Sequence, residues 1–178
     1  TLRADGSLTS MTTNTSRVFL ARLAGLGVFD PRGDQVGKVR DAVVVLRIGD
    51  NPPRLTGLVV EVPPRRRIFV PMTKVTAIDT GQVIVTGTVN LRRFEQRRNE
   101  SLATAELLDH SITLRESGEQ VRVVDIGVTT TRSREWLVDS LFVRRTGTGL
   151  RRRSERFMVE WPDVTGLSLP ETAQPAEQ

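Results

Sequence analysis

Hydrophobic positions recur along this chain with period two far more often than with period 3.6, and turn residues interrupt them every few positions. In the first half five strand-like runs stand out: Gly27–Asp30, Gln35–Ile48, Leu55–Val62, Arg67–Val70 and Gln82–Thr86. Between them lie Pro31-Arg32-Gly33-Asp34, Gly49-Asp50-Asn51-Pro52-Pro53, Pro63-Pro64-Arg65-Arg66 and Asp79-Thr80-Gly81. Each holds the Gly, Pro, Asp or Asn that tight turns require. Phe19–Leu26 is long enough for one helical turn. The second half repeats the pattern, with strands near 111–116, 120–130, 136–144 and 156–160. Residues 91–110 connect the halves, and Ser101 is placed to cap a short helix through Asp109. Residues 1–16 read as a disordered polar tail in which Met11 is a plausible natural start. Residues 168–178 read as a linker to something that follows.

The halves are copies of one β unit. Gly33-Asp34-Gln35-Val36 recurs as Gly118-Glu119-Gln120-Val121, and Val39-Arg40-Asp41 as Val123-Val124-Asp125, one residue out of step. Arg67-Ile68-Phe69-Val70 with Val75-Thr76 recurs in register as Arg156-Phe157-Met158-Val159 with Val164-Thr165. The expected fold is all-β: two tandem small barrels over 17–90 and 111–167, joined by a short helical or irregular connector.

Composition agrees. Val, Ile and Thr supply 49 of the 178 residues and aromatics only 4%, a bias that suits pleated surfaces. No run approaches 18 apolar residues and no signal-peptide pattern opens the chain, so the segment reads as cytosolic, with no membrane insertion. The pI of about 11.0 exaggerates the basicity, since the net charge is +5. Arginine outnumbers lysine heavily (the lysines are Lys38 and Lys74) and Tyr and Cys are absent, so little titrates between neutrality and high pH.

Catalytic chemistry finds few residues to work with. Without cysteine there is no thiolate nucleophile, disulfide framework or Cys/His zinc site. His110 is the single imidazole and has no sequence pattern of nucleophile or orienting partner around it. Asp30–Asp34 lacks the alternating oxygen ligands of an EF-hand loop, and Gly147-Thr-Gly149 lacks the ending of a phosphate-binding P-loop. Asp41 and Asp125 recur at like positions in strands, where structural hydrogen bonds are the expected use. Trp136, Trp161 and five phenylalanines read as packing residues. The expectation is a non-enzyme with no metal and no cofactor.

Arginine carries the functional signal. Arg65, Arg66 and Arg67 occupy the third-to-fourth strand hairpin of the first half, and Arg144, Arg145, Arg151, Arg152, Arg153 and Arg156 the same hairpin of the second. Guanidinium groups fork onto carboxylates or phosphates. Their recurrence at one topological place points to a common anion-facing role. The candidate partners are an acidic protein domain and RNA. Neither loop interleaves the aromatics that single-strand binding wants, which favours protein.

The strand and Asp30-Pro-Arg-Gly33 turn, followed by Val36-Gly37-Lys38-Val39-x-Asp41 and a valine run, resemble the PRC-barrel family. Leu58-Val59-Val60 and Ile68-Phe69-Val70-Pro71 leading to Val75 and Ile78 are similar to it too. The resemblance covers about 17–90. The second copy departs from it, with Arg122 for the second turn glycine and Glu160 for the proline. With Arg92-Arg93-Phe94-Glu95, the order of units resembles the N-terminal part of bacterial cytosolic proteins related to MgtE-type magnesium transporters. That resemblance implies a cytoplasmic regulatory module docking neighbouring domains or a protein partner. A PRC-like barrel also occurs in the ribosome-maturation factor RimM, which implies the alternative of binding ribosomal protein or RNA.

Overall fold

The computed structural model describes residues 17–79, 81–86, 92–146 and 155–169. The tail over 1–16, nearly all of the expected C-terminal linker, and Arg151, Arg152 and Arg153 lie outside them.

The fold is all-β. The first unit holds β1 (Val18–Phe19), β2 (Gly27–Phe29), β3 (Gln35–Val45), β4 (Arg54–Val62), β5 (Arg66–Pro71), β6 (Val75–Asp79), β7 (Gln82–Val85) and β8 (Arg92–Arg93). The second holds β9 (Glu100–Leu102), β10 (Ser111–Leu114), β11 (Gln120–Thr130), β12 (Trp136–Arg145), β13 (Arg156–Glu160) and β14 (Val164–Thr165). The expected helical turn near Phe19–Leu26 is a 3₁₀ turn at Leu20–Arg22. The helix expected to start at Ser101 is instead a single π-helical turn, Ala103–Leu107. Ser101 lies inside β9 and caps nothing, because the turn begins after Leu102 without a side-chain cap.

The repeat persists to the level of individual bulges. Long strands β3 and β4 pair with register shifts between Val39 and Asp41 and between Val43 and Val44. Strands β11 and β12 pair with shifts between Val123 and Asp125 and between Gly127 and Val128. A bulge places two residues of one strand against one of its partner and sharpens the local twist. The one-residue slip between the two sequence copies has the same origin. Phe29 pairs with Gln35 while Val28 pairs with Gly37, so β3 carries one residue more than β11 at that point. The units differ at one edge, where β7 is inserted between β2 and β6, whereas β10 pairs β14 directly.

The units are not independent. Strand β1 of the first unit pairs with β11 of the second (Val18 with Val128, Phe19 with Gly127). Reciprocally, β9 pairs with β3 (Leu102 with Val43, Ser101 with Val44, Glu100 with Val45). The start of each unit thus completes the other. Strands β4 and β12 pair antiparallel at their first residues, Arg54 with Leu137 and Leu55 with Trp136. Arg54 and Leu137 are equivalent positions in the two copies, so a pseudo-twofold axis passes between them, as in an isologous interface.

Buried Ala42-Val43-Val44 and Ile126-Gly127-Val128 lie in the second half of the long strands, where both sheet faces are covered and an apolar run replaces alternation. One continuous core results. It runs from Leu20, Leu23 and Val28 through Val44, Leu55 and Val138 to Ile126, Trp161 and Val164. The second unit also clasps the β3–β4 turn. Leu169 bonds the Arg47 carbonyl at 2.9 Å, the Trp161 indole donates to the Asp50 carbonyl at 2.9 Å, and Arg115 pairs with the Asp50 carboxylate at 2.8 Å.

Candidate anion-binding surface

The two recurrent aspartates sit where each long strand changes edge partners. Along one edge of β3, residues 35–38 face β2 and residues 43–45 face β9. Asp41 fills the gap between them. It is buried, and its Oδ1 accepts the N–H of Ala42 (2.8 Å) and Thr104 (2.7 Å) while Oδ2 accepts that of Ala105 (3.0 Å). Asp125 does the same for the first unit with one oxygen. Its Oδ1 accepts Ala21 N–H and Ile126 N–H, both at 2.8 Å. Burial pushes the Asp125 carboxyl up against these two donors. Both are structural acceptors that hold the exchanged segments in place. His110 is exposed, and its backbone closes the ladder with Val123.

The hairpin arginines divide into two sets that the fold does not bring together. Strands β4 and β12 run in opposite directions from the pseudo-twofold axis, so their far ends lie on opposite sides, each roughly 25 Å of strand away. In the second hairpin the cations are already engaged. Arg144 pairs with Asp109 at 2.9 Å. Arg145 hydrogen-bonds Glu119, has the Glu155 carboxylate 3.0 Å from its Nε at an angle off the N–H axis, and lies 4.8 Å over the Phe157 ring. Those carboxylates hold Arg145 more firmly charged than usual. Arg156 is exposed and makes no ion pair among the described residues.

The first hairpin is different. Arg65, Arg66 and Arg67 are all exposed. Glu61 is the local anion. Arg40 bonds it at 2.9 Å and Arg67 approaches to 3.9 Å. The Arg40 hydrogen bond, aided by the charges of Arg40, Arg67 and Arg65, lowers the Glu61 pKa. Arg65, Arg66 and Lys38 have no carboxylate partner among the described residues. Beside them lies an open groove of about 510 Å³ lined by Lys38, Arg40, Glu61, Val62, Pro63 and Arg65. Its apolar wall and surplus cations suit carboxylate-bearing side chains.

Sequence reasoning missed two members of this surface. Strand β8 adds to the free side of β5 (Arg93 with Ile68, Arg92 with Phe69), and Phe94 donates its N–H to the Arg67 carbonyl at 2.9 Å. Arg92 lies 5.2 Å over the Phe69 ring, which stacks on Phe94 at 6.4 Å. Aromatics therefore do interleave with arginine here, although neither loop sequence contains them. A two-residue strand that pairs far from its neighbours in sequence leaves no periodic signal.

Residues 101–170 match the family model of the actinomycetes SH3 domain. No curated protein matches the chain. The matched segment opens in β9 and runs past β14, so it takes in the whole second unit, exchanged strand included. The SH3-type match fits the β-rich fold, and an actinomycete family points to a bacterial protein. Among the described residues no helix is long and apolar enough to cross a membrane.

Proposed function

We propose that the protein is a non-catalytic binding module whose first unit docks an acidic protein segment. The docking surface is the groove at Lys38 and Arg65, together with Arg66 of the same hairpin and Arg92 and Arg93 of the strand beside β5. One observation carries the reading: at the first hairpin a cluster of exposed cations outnumbers its single carboxylate, whereas Arg144 and Arg145 at the second hairpin are matched inside the fold. The SH3-type match over the second unit supports a module that binds proteins. A cytoplasmic, magnesium-transport setting rests on the resemblance of 17–90 and Arg92–Glu95 alone.

The test uses the whole chain with a capped glutamate-rich peptide and, in parallel, single-stranded RNA. Exposed pairs each contribute about 0.2–1 kcal/mol. Removing three cations in K38A/R65A/R66A is therefore expected to weaken the acidic peptide roughly three- to a hundredfold and to leave stability unchanged. RNA binding that falls steeply with salt, with a slope reduced by about three units in that variant, would reverse the choice of partner. Unchanged peptide binding would remove the site.

A further inference from the structure

The two units present the same strand at equivalent edges, and among the described residues only one of those edges is occupied. In the first unit β5 is flanked by β4 on one side and β8 on the other. In the second, β13 pairs with β12, and no strand lies on its other side among the described residues. An unpaired edge is a ready template for another chain. By register Arg156 is the equivalent of Arg67, Phe157 of Ile68 and Met158 of Phe69.

Two side chains on this edge lack what their counterparts have. Phe69 is covered by Arg92 and Phe94, while Met158 is 41% exposed, the one large apolar side chain so exposed among the described residues. Arg67 faces Glu61 across the strand pair, but Arg156 faces Arg144, a like charge already committed to Asp109. Like charges directly opposite are destabilising in a sheet. The duplication has thus replaced the answering carboxylate by a second cation, beside an edge that no other described strand pairs.

We propose that the β13 edge is a strand-addition site for an extended segment of a protein partner with the pattern apolar–x–acidic. The site is separate from the first-unit groove. Strand β8 supplies the geometry. It runs antiparallel to β5, with Arg92 opposite Phe69 and Arg93 opposite Ile68, and Phe94 N–H meets the Arg67 carbonyl. The backbone polar groups of Arg67, and by register those of Arg156 and Met158, therefore point to the outer edge. A guest in the same orientation sets its first residue over Met158 and its third beside Arg156, on one face of the sheet. Main-chain hydrogen bonds supply affinity and alternate side chains supply specificity. An apolar residue covers Met158, and a carboxylate gives Arg156 the partner that Glu61 gives Arg67.

The test titrates the whole chain with the capped peptide Thr-Val-Thr-Leu-Thr-Glu-Thr-Val, reading affinity by calorimetry and site by amide hydrogen exchange. Saturation is expected to slow exchange at Met158, whose N–H points outward. R156E is expected to weaken this peptide at least tenfold and to accept the peptide in which Arg replaces Glu. M158P removes the edge-directed N–H and is expected to abolish binding of both while the thermal transition stays in place. K38A/R65A/R66A is expected to change nothing here, so failure at this edge is distinguishable from failure at the groove. No binding up to millimolar peptide, indifference to R156E, or protection confined to the first unit would each overturn the proposal.

Discussion

The two aspartates look alike in sequence but accept hydrogen bonds differently, and that difference predicts how each tolerates asparagine. Asp41 uses both oxygens, Oδ1 for Ala42 and Thr104 and Oδ2 for Ala105. Asp41→Ala orphans these N–H groups, two of them at the start of the π turn that carries β9. A buried N–H left without a partner costs about 1–3 kcal/mol, and with some rehydration at the partly buried turn the variant should lose about 3–5 kcal/mol. Asp41→Asn keeps one acceptor but turns an N–H towards Ala105, for a loss of about 1–2 kcal/mol. At position 125 both bonds end on Oδ1. Asp125→Asn therefore keeps them and removes a carboxylate that burial disfavours, leaving stability within about 0.5 kcal/mol of the parent. Urea unfolding of the four proteins with a common m-value measures these differences. Equal losses for D41N and D125N, or a D41A loss below about 1 kcal/mol, would refute this account of how the exchanged segments are held.

The raised Asp125 carboxyl makes the folded state bind its proton more tightly than the unfolded chain does. The parent should therefore gain stability relative to D125N as pH falls towards and below the ordinary value of 3.8, as read from urea midpoints between pH 3 and 7. Glu61 has the opposite sign. Its pKa is lowered from 4.5, so its contribution is present above that value and lost as pH falls, and E61Q should flatten this part of the acid limb. Ile126→Ala deletes a buried side chain in the shared core and should cost about 2–5 kcal/mol in a single cooperative transition. Two resolved transitions would mean the units unfold separately. Either unit expressed alone should lack cooperative unfolding, because β1 or β9 then finds no partner strand.

Local chemistry made much of the fold legible. Gln120–Thr130 and Arg156–Glu160 occur as strands with the bounds their alternation marks, and β4 and β12 differ from expectation by one residue. The repeated aspartates were readable as hydrogen-bond acceptors because an acid inside a valine run must find donors. Five-residue β6, whose Thr76 and Ala77 are both exposed, showed no alternation and escaped; so did β1, β8, β9 and β14, each two or three residues long. Their pairing is fixed by distant partners, and two or three residues cannot display a period. The reciprocal exchange escaped for the same reason, so the core shared by the two tandem units was not foreseen. At the surface, arginine content was visible but not its pairing. The difference between Arg144, paired with Asp109, and Arg65, which has no carboxylate partner among the described residues, depends on residues brought together by the fold.

The reciprocal exchange of β1 and β9 about an axis between Arg54 and Leu137 is the arrangement of a homodimer drawn into one polypeptide. The covalent tie then serves as a source of effective concentration, making association of the halves intramolecular and independent of dilution. It also frees the halves from having to be identical. A true dimer would carry two capped edges or two open ones, and two copies of Glu61 or of Arg144. Fused in one chain, the pair can cap β5 with β8 while no described strand covers β13, and so present two dissimilar faces to dissimilar guests from a single folded frame.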